Sequence, residues 1–125
     1  MIDFQNCEYI KLKKINPNLV MDDIEPLLIE RERVIGVYRA IRDYCVFTDK
    51  RIIAVNIQGI GKKKDFTSLP YAKITAFAVE TVGVLDLDSE LELFYPGMGE
   101  IKFEFSGLSD IAEIGRIIAS YALAL

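Results

Sequence analysis

Hydrophobic and polar positions divide the chain into three stretches with different periods. In the first, Leu19, Ile24, Leu27 and Leu28 recur at helical spacing behind the turn signal Asn16-Pro17-Asn18, and Pro26 suits the first turn of a short helix. This pattern predicts a helical extension over residues 1–30. From Arg33 the period falls to two. The runs Val34 to Ile41, Tyr44 to Thr48 and Arg51 to Ile57 are rich in β-branched and aromatic residues, which pack well on a pleated surface. Arg42-Asp43 and Asp49-Lys50 supply the tight turns between them, short enough for antiparallel neighbours.

Gly59-Ile60-Gly61 frees the backbone for a loop before an extended stretch from Lys62 that Pro70 closes. Three further strands are predicted at Ile74 to Thr81, Ser89 to Tyr95 and Glu100 to Phe105, with Pro96-Gly97-Met98-Gly99 as the hairpin turn between the last two. In that hairpin Glu90, Glu92, Lys102 and Glu104 alternate with Leu91, Leu93, Ile101, Phe103 and Phe105, so one face meets water and the other a core. After Gly107 the period returns to 3.6, with Ile111, Ile114, Ile118, Tyr121 and Leu125 on one face of an amphipathic helix that Ser109 or Asp110 can cap. The expected architecture is a mainly-β barrel of about seven antiparallel strands over residues 31–107, closed by a C-terminal α-helix over 108–125.

The geometry leaves several small barrels open, and particular residues narrow the choice. Phe47-Thr48-Asp49-Lys50-Arg51-Ile52-Ile53 resembles the hairpin motif of the bacterial pleckstrin-homology family, and Leu69-Pro70-Tyr71-Ala72-Lys73-Ile74 resembles its second motif. Phe77-Ala78-Val79-Glu80 and the acidic stretch Asp86 to Leu91 are similar to the family as well, and the likeness runs from Glu30 to Leu125. It implies a pleckstrin-homology-like barrel in a short, single-domain form. It also implies a binding or scaffolding module without catalytic residues, in a family whose members assemble into closed rings.

The composition agrees with a small non-catalytic domain. A chain of 125 residues sits below the ~150 residues expected per domain, which leaves little room for a second lobe. Histidine is absent, which removes the commonest general base and the commonest metal ligand. No cofactor or metal is expected. The net charge of −4 argues against nucleic acid as a partner. The N-terminus lacks the basic start and apolar centre of a signal peptide, and no apolar run approaches a bilayer span, so a soluble, cytoplasmic protein is expected. Cys7 and Cys45 have no motif spacing and read as free thiols of a reducing compartment.

Few residues carry candidate chemistry. Lys62, Lys63 and Lys64 form the one dense basic cluster, and with Arg39 and Arg42 they suggest contact with anionic phospholipid. The plainer reading is a solvated edge strand whose lysines discourage aggregation. Thr48, Asp49 and Arg51 read as a structural trio, in which Asp49 bonds its own turn and Arg51 pairs with a nearby carboxylate. The acidic series Asp86, Asp88, Glu90 and Glu92 lacks the order of a calcium loop, and Gly59-Ile60-Gly61 lacks the ending of a phosphate loop. The favoured function is a homo-oligomeric ring that recruits an unidentified protein partner, and the alternative is a peripheral module for anionic lipid.

Overall fold

The computed structural model describes residues 9–124. It contains eight strands and two α-helices: β1 (Tyr9–Ile15), α1 (Met21–Ile24), β2 (Val34–Arg39), β3 (Tyr44–Thr48), β4 (Arg51–Gln58), β5 (Lys63–Pro70), β6 (Ala76–Thr81), β7 (Ser89–Tyr95), β8 (Gly99–Phe105) and α2 (Ile111–Ala122). The strands form one sheet in the order β5-β4-β3-β2-β1-β8-β7-β6. It folds into an open sandwich, and the end strands β5 and β6 do not pair with each other.

The N-terminal region departs from expectation. Helical turns occupy only Pro17–Leu19, Met21–Ile24 and Glu25–Leu27, and the residues before them form β1 rather than helix. This strand joins the two meanders. It runs antiparallel to β2, with Lys13 opposite Arg39 and Ile15 opposite Val37, and parallel to β8, with Leu12 opposite Phe105. Backbone groups at the seam that would otherwise lie unpaired thereby find partners, a strong drive for strand formation. Lys11 adopts a positive φ of 54° and breaks the register between Tyr9 and Leu12, which erases the two-residue period that would have announced a strand.

Two apolar clusters hold the layers together. Between the half-sheets and α2 lie Leu12, Tyr38, Phe47, Leu69, Phe103 and the helix residues Ile111, Ile114 and Ile118, all essentially inaccessible to water. Each isoleucine contributes roughly 1.5–3 kcal/mol of hydrophobic free energy. On the opposite face of the β2–β5 half-sheet, Val20 and Ile24 from the N-terminal turns cover Val37, Tyr44, Val46, Ile53 and Val55. Strand β3 is therefore buried on both faces, which explains its unbroken apolar run. Cys45 sits in it as a free, fully buried thiol, whereas Cys7 lies outside the described residues.

The start of α2 differs in detail from the expected cap. Asp110 occupies the N-cap position but makes no side-chain cap bond. Its carboxylate accepts a short hydrogen bond from the Tyr38 hydroxyl and pairs with Lys14 Nζ at 3.0 Å. The first-turn N–H of Ala112 donates instead to Asp86 Oδ1 at 2.8 Å, from the β6–β7 loop. Gly36 permits this latch: a Cβ there would stand 2.5 Å from Asp110 Oδ2 and 2.9 Å from the Tyr38 hydroxyl.

Candidate functional site

The Thr48-Asp49-Arg51 trio is built into the scaffold. Thr48 Oγ1 accepts the N–H groups of Lys50 and Arg51, each at 3.0 Å, which closes the β3–β4 turn. The carboxylate that faces Arg51 is Glu32, at 2.9 Å from Nε and 3.0 Å from Nη2, with its side chain wholly shielded from solvent. Arg51 also donates to Leu27 O at 2.5 Å and Ser68 Oγ at 2.9 Å, so it ties the N-terminal turns to β4 and β5. Burial pushes the Glu32 carboxyl up, and hydrogen bonds from Arg51, Thr48 and the Ile29 N–H outweigh it, leaving the pKa below the usual carboxylate value. Asp49 corrects the expectation of a self-closing turn: Oδ1 accepts the Arg33 N–H at 2.9 Å, pinning the hairpin to the segment ahead of β2.

The basic candidates divide. The β2–β3 and β4–β5 loops lie side by side at one end of the molecule, bridged by Arg42 Nη1 donating to Gly59 O at 2.8 Å. Their tips carry Ile41 and Ile60, 100% and 86% exposed. Arg39 and Arg42 line a hollow of about 740 Å³ together with Lys11 and Lys13. They also line a second groove, of about 340 Å³, which Lys64 shares. Lys62 and Lys63 are exposed and line neither. Lys64 is matched by Asp23, with Nζ 2.7 Å from Oδ2. Lys11 and Lys13 lie on β1, a strand whose residues carry no clear two-residue period in the sequence.

The acidic series is likewise divided. Asp86 caps α2, and Asp88 Oδ1 accepts the Gly107 N–H at 2.6 Å. Glu90 and Glu92 point outward with Glu80, their carboxylates within 4.8 Å of one another. Lys102 lies among them, 3.4 Å from Glu90 and 3.8 Å from Glu92, and so neutralises part of the cluster. This outer face of β6–β8 is acidic, in contrast to the cationic loop end.

A sequence model of the bacterial PH domain matches residues 4–122. The chain belongs to the bacterial PH domain family. This bacterial PH domain is similar to the Bacillus subtilis (strain 168) protein YjqA, 39% identical over 107 residues that cover 83% of this chain and 86% of that protein. It is also similar to YozO of the same organism, 33% identical over 98 residues covering 78% of this chain and 85% of that protein. A DUF1696 family protein with a pleckstrin-homology domain from Shewanella loihica PV-4 superposes with a TM-score of 0.70 at 35% identity, over 90% of this chain and 98% of that one. A pleckstrin homology domain from Shewanella amazonensis SB2B gives a TM-score of 0.58 at 36% identity, over 88% and 90% of the two chains. The mainly-β PH-like fold with its C-terminal helix is thus common to this bacterial PH domain and its structural neighbours. Among the described residues, no helix of this bacterial PH domain is long and apolar enough to cross a membrane.

Proposed function

We propose that this bacterial PH domain is a non-catalytic binding module that assembles into a homo-oligomeric ring and recruits a protein partner through the repeated surface. The observation that carries this reading is the contrast between its two sheet edges. Edge strand β5 is guarded by Lys63, Lys64 and Pro70, residue types that discourage strand addition. Edge strand β6 reads Ala-Phe-Ala-Val-Glu-Thr, pairs with β7 alone, and has neither lysine nor proline. Ala76, Ala78 and Val79 are exposed along it, and Phe94 beside it is 47% exposed. An unguarded apolar edge of this kind is a template for another chain.

Charge favours head-to-tail contact over two-fold pairing. A β6 edge meeting its own symmetry copy would bring Glu80, Glu90 and Glu92 against the same carboxylates, whereas a head-to-tail contact can set that acidic face against the cationic loop end of the next copy. Head-to-tail contacts that close make rings. Repetition of one surface around a ring converts weak contacts with a partner into avidity. Light scattering coupled to size exclusion tests the reading: a stable mass of at least three times 14.2 kDa is expected, lowered towards one protomer by Val79→Lys. A monomer or a two-fold dimer at all concentrations overturns it.

A second reading is favoured by the loop tips. Exposed Ile41 lies between Arg39 and Arg42 beside Lys11 and Lys13, so an apolar point is set among cations as a surface that meets anionic lipid requires. Each cation contributes about 1 kcal/mol near such a surface. Salt-sensitive co-sedimentation with phosphatidylglycerol vesicles, lost on Ile41→Asp, supports this reading, and absence of binding removes it.

A further inference from the structure

We propose that the groove between the Val20 turn and the β2–β3 loop binds a small amphipathic anion, one compact carboxylate or phosphate group carrying a short aliphatic body. At about 340 Å³ the groove falls at the lower end of the ~300–1,000 Å³ usual for small-molecule sites, too small for a two-chain lipid. Its apolar walls are Leu19, Val20, Ile41 and Ile57. Its charge is unbalanced. Lys64 is answered by Asp23, but the Arg39 side chain has no hydrogen bond or ion pair among the described residues, and the Arg42 guanidinium has only its bond to Gly59 O. Two guanidinium groups with free donors converge on an apolar-walled space, a combination suited to an anion with a hydrocarbon body.

The second, independent observation is Tyr44. It forms part of the groove wall, is 3% exposed, and its hydroxyl is buried without a hydrogen-bond partner. A buried polar atom left unpaired is costly, so native structures contain few, and each calls for a reason. Burial, with a smaller contribution from the Asp23 carboxylate that is also in the groove wall, pushes the Tyr44 pKa up to about 12. The hydroxyl is therefore neutral at pH 7 and keeps its proton to donate. Opening of the Lys64–Asp23 pair when the anion enters would bring that donor, and Lys64 with it, into use. The site shares Arg39, Ile41 and Arg42 with the cationic loop end and stands apart from the β6 edge.

Titration of the 125-residue chain with hexyl phosphate and with hexanoate, followed by amide NMR shifts, tests the proposal. At least one anion is expected to bind in the sub-millimolar to millimolar range and to shift Val20, Tyr44 and Ile57, with hexanol and inorganic phosphate each binding about tenfold more weakly. Arg39→Gln is expected to weaken binding about tenfold without changing the thermal midpoint. Tyr44→Phe supplies the sharper test: removing an unpaired hydroxyl is expected to maintain or raise the midpoint of the ligand-free protein while weakening the anion several-fold. A Tyr44→Phe protein that binds as wild type, or wild type that binds neither anion up to about 10 mM, overturns the proposal. Binding of phosphatidylglycerol vesicles without either soluble anion also overturns it, in favour of a lipid surface.

Discussion

Replacing Arg51 by Met should invert the contribution of one residue to the pH dependence of folding. In the wild-type protein Glu32 is held below its ordinary carboxyl value by Arg51, Thr48 and the Ile29 N–H, against the upward push of burial. A carboxyl whose folded pKa is depressed stabilises the fold above its unfolded pKa, near the ordinary glutamate value of 4.5, and that contribution is lost as pH falls through the lower folded pKa. Without Arg51 the burial effect remains and the largest opposing group is gone, so the shielded carboxylate keeps only its bonds from Thr48 and the Ile29 N–H and has no opposite charge beside it. Breaking a buried pair from one side costs about 3–5 kcal/mol, and the partial exposure of Arg51 places this case near ~3. For a domain of this size that is a drop of roughly 10 °C in melting temperature at pH 7. Glu32 in Arg51→Met should then have a raised pKa, and the gap to wild type should narrow as pH falls from 7 towards 5. The double variant Glu32→Gln/Arg51→Met should be more stable than Arg51→Met alone at pH 7. Urea unfolding of the three proteins between pH 5 and 7.5 provides the measurement. A gap to wild type that stays constant with pH, or a double variant no better than the single, refutes the argument.

Other perturbations reach different parts of the fold. Leu12→Ala should destabilise by about 2–5 kcal/mol in denaturant unfolding, since the side chain is inaccessible to solvent at the seam of the sheet; a surface-like change of under ~0.5 would deny β1 its place. Gly36→Ala should cost about 1–3 kcal/mol by forcing Asp110 away from Tyr38, and pairing it with Asp110→Ala should relieve part of that penalty in a double-mutant cycle. Asp86→Ala removes the acceptor for the Ala112 N–H and should lower stability by about 1 kcal/mol, with earlier amide exchange confined to the first turn of α2.

Most strands could be read from residue pattern because each is one-sided or wholly buried. The β7–β8 hairpin alternates strictly and packs one face on the core, and β3 is an apolar run flanked by turns, so both announce themselves. Strand β1 does not: Lys11, Lys13 and Lys14 are all exposed, the strand is kinked at Lys11, and its pairing is decided by β2 and β8, one of them more than ninety residues away. For the same reason the partner of Arg51 was anticipated as a carboxylate but not as Glu32, whose position depends on how the N-terminal turns dock. Arg39, Arg42 and Lys64 stood out by charge, yet their convergence with Tyr44 depends on three separate elements meeting at one groove. The unpaired hydroxyl leaves no trace in sequence, because a tyrosine opening a strand is ordinary β material.

The sheet order places the first of the described strands beside the last, with β8 as the parallel neighbour of β1. On the ribosome the β1–β5 meander emerges as a run of local hairpins, yet its seam edge has no partner until the final third of the chain appears. The β6–β8 meander can likewise pair internally while Leu12 waits for Phe105. Docking of two preformed halves across this one seam is therefore the step that commits the molecule. During synthesis a nascent chain halted before Glu100 would expose a ready strand edge and half of an unfilled core, the state most in need of a chaperone.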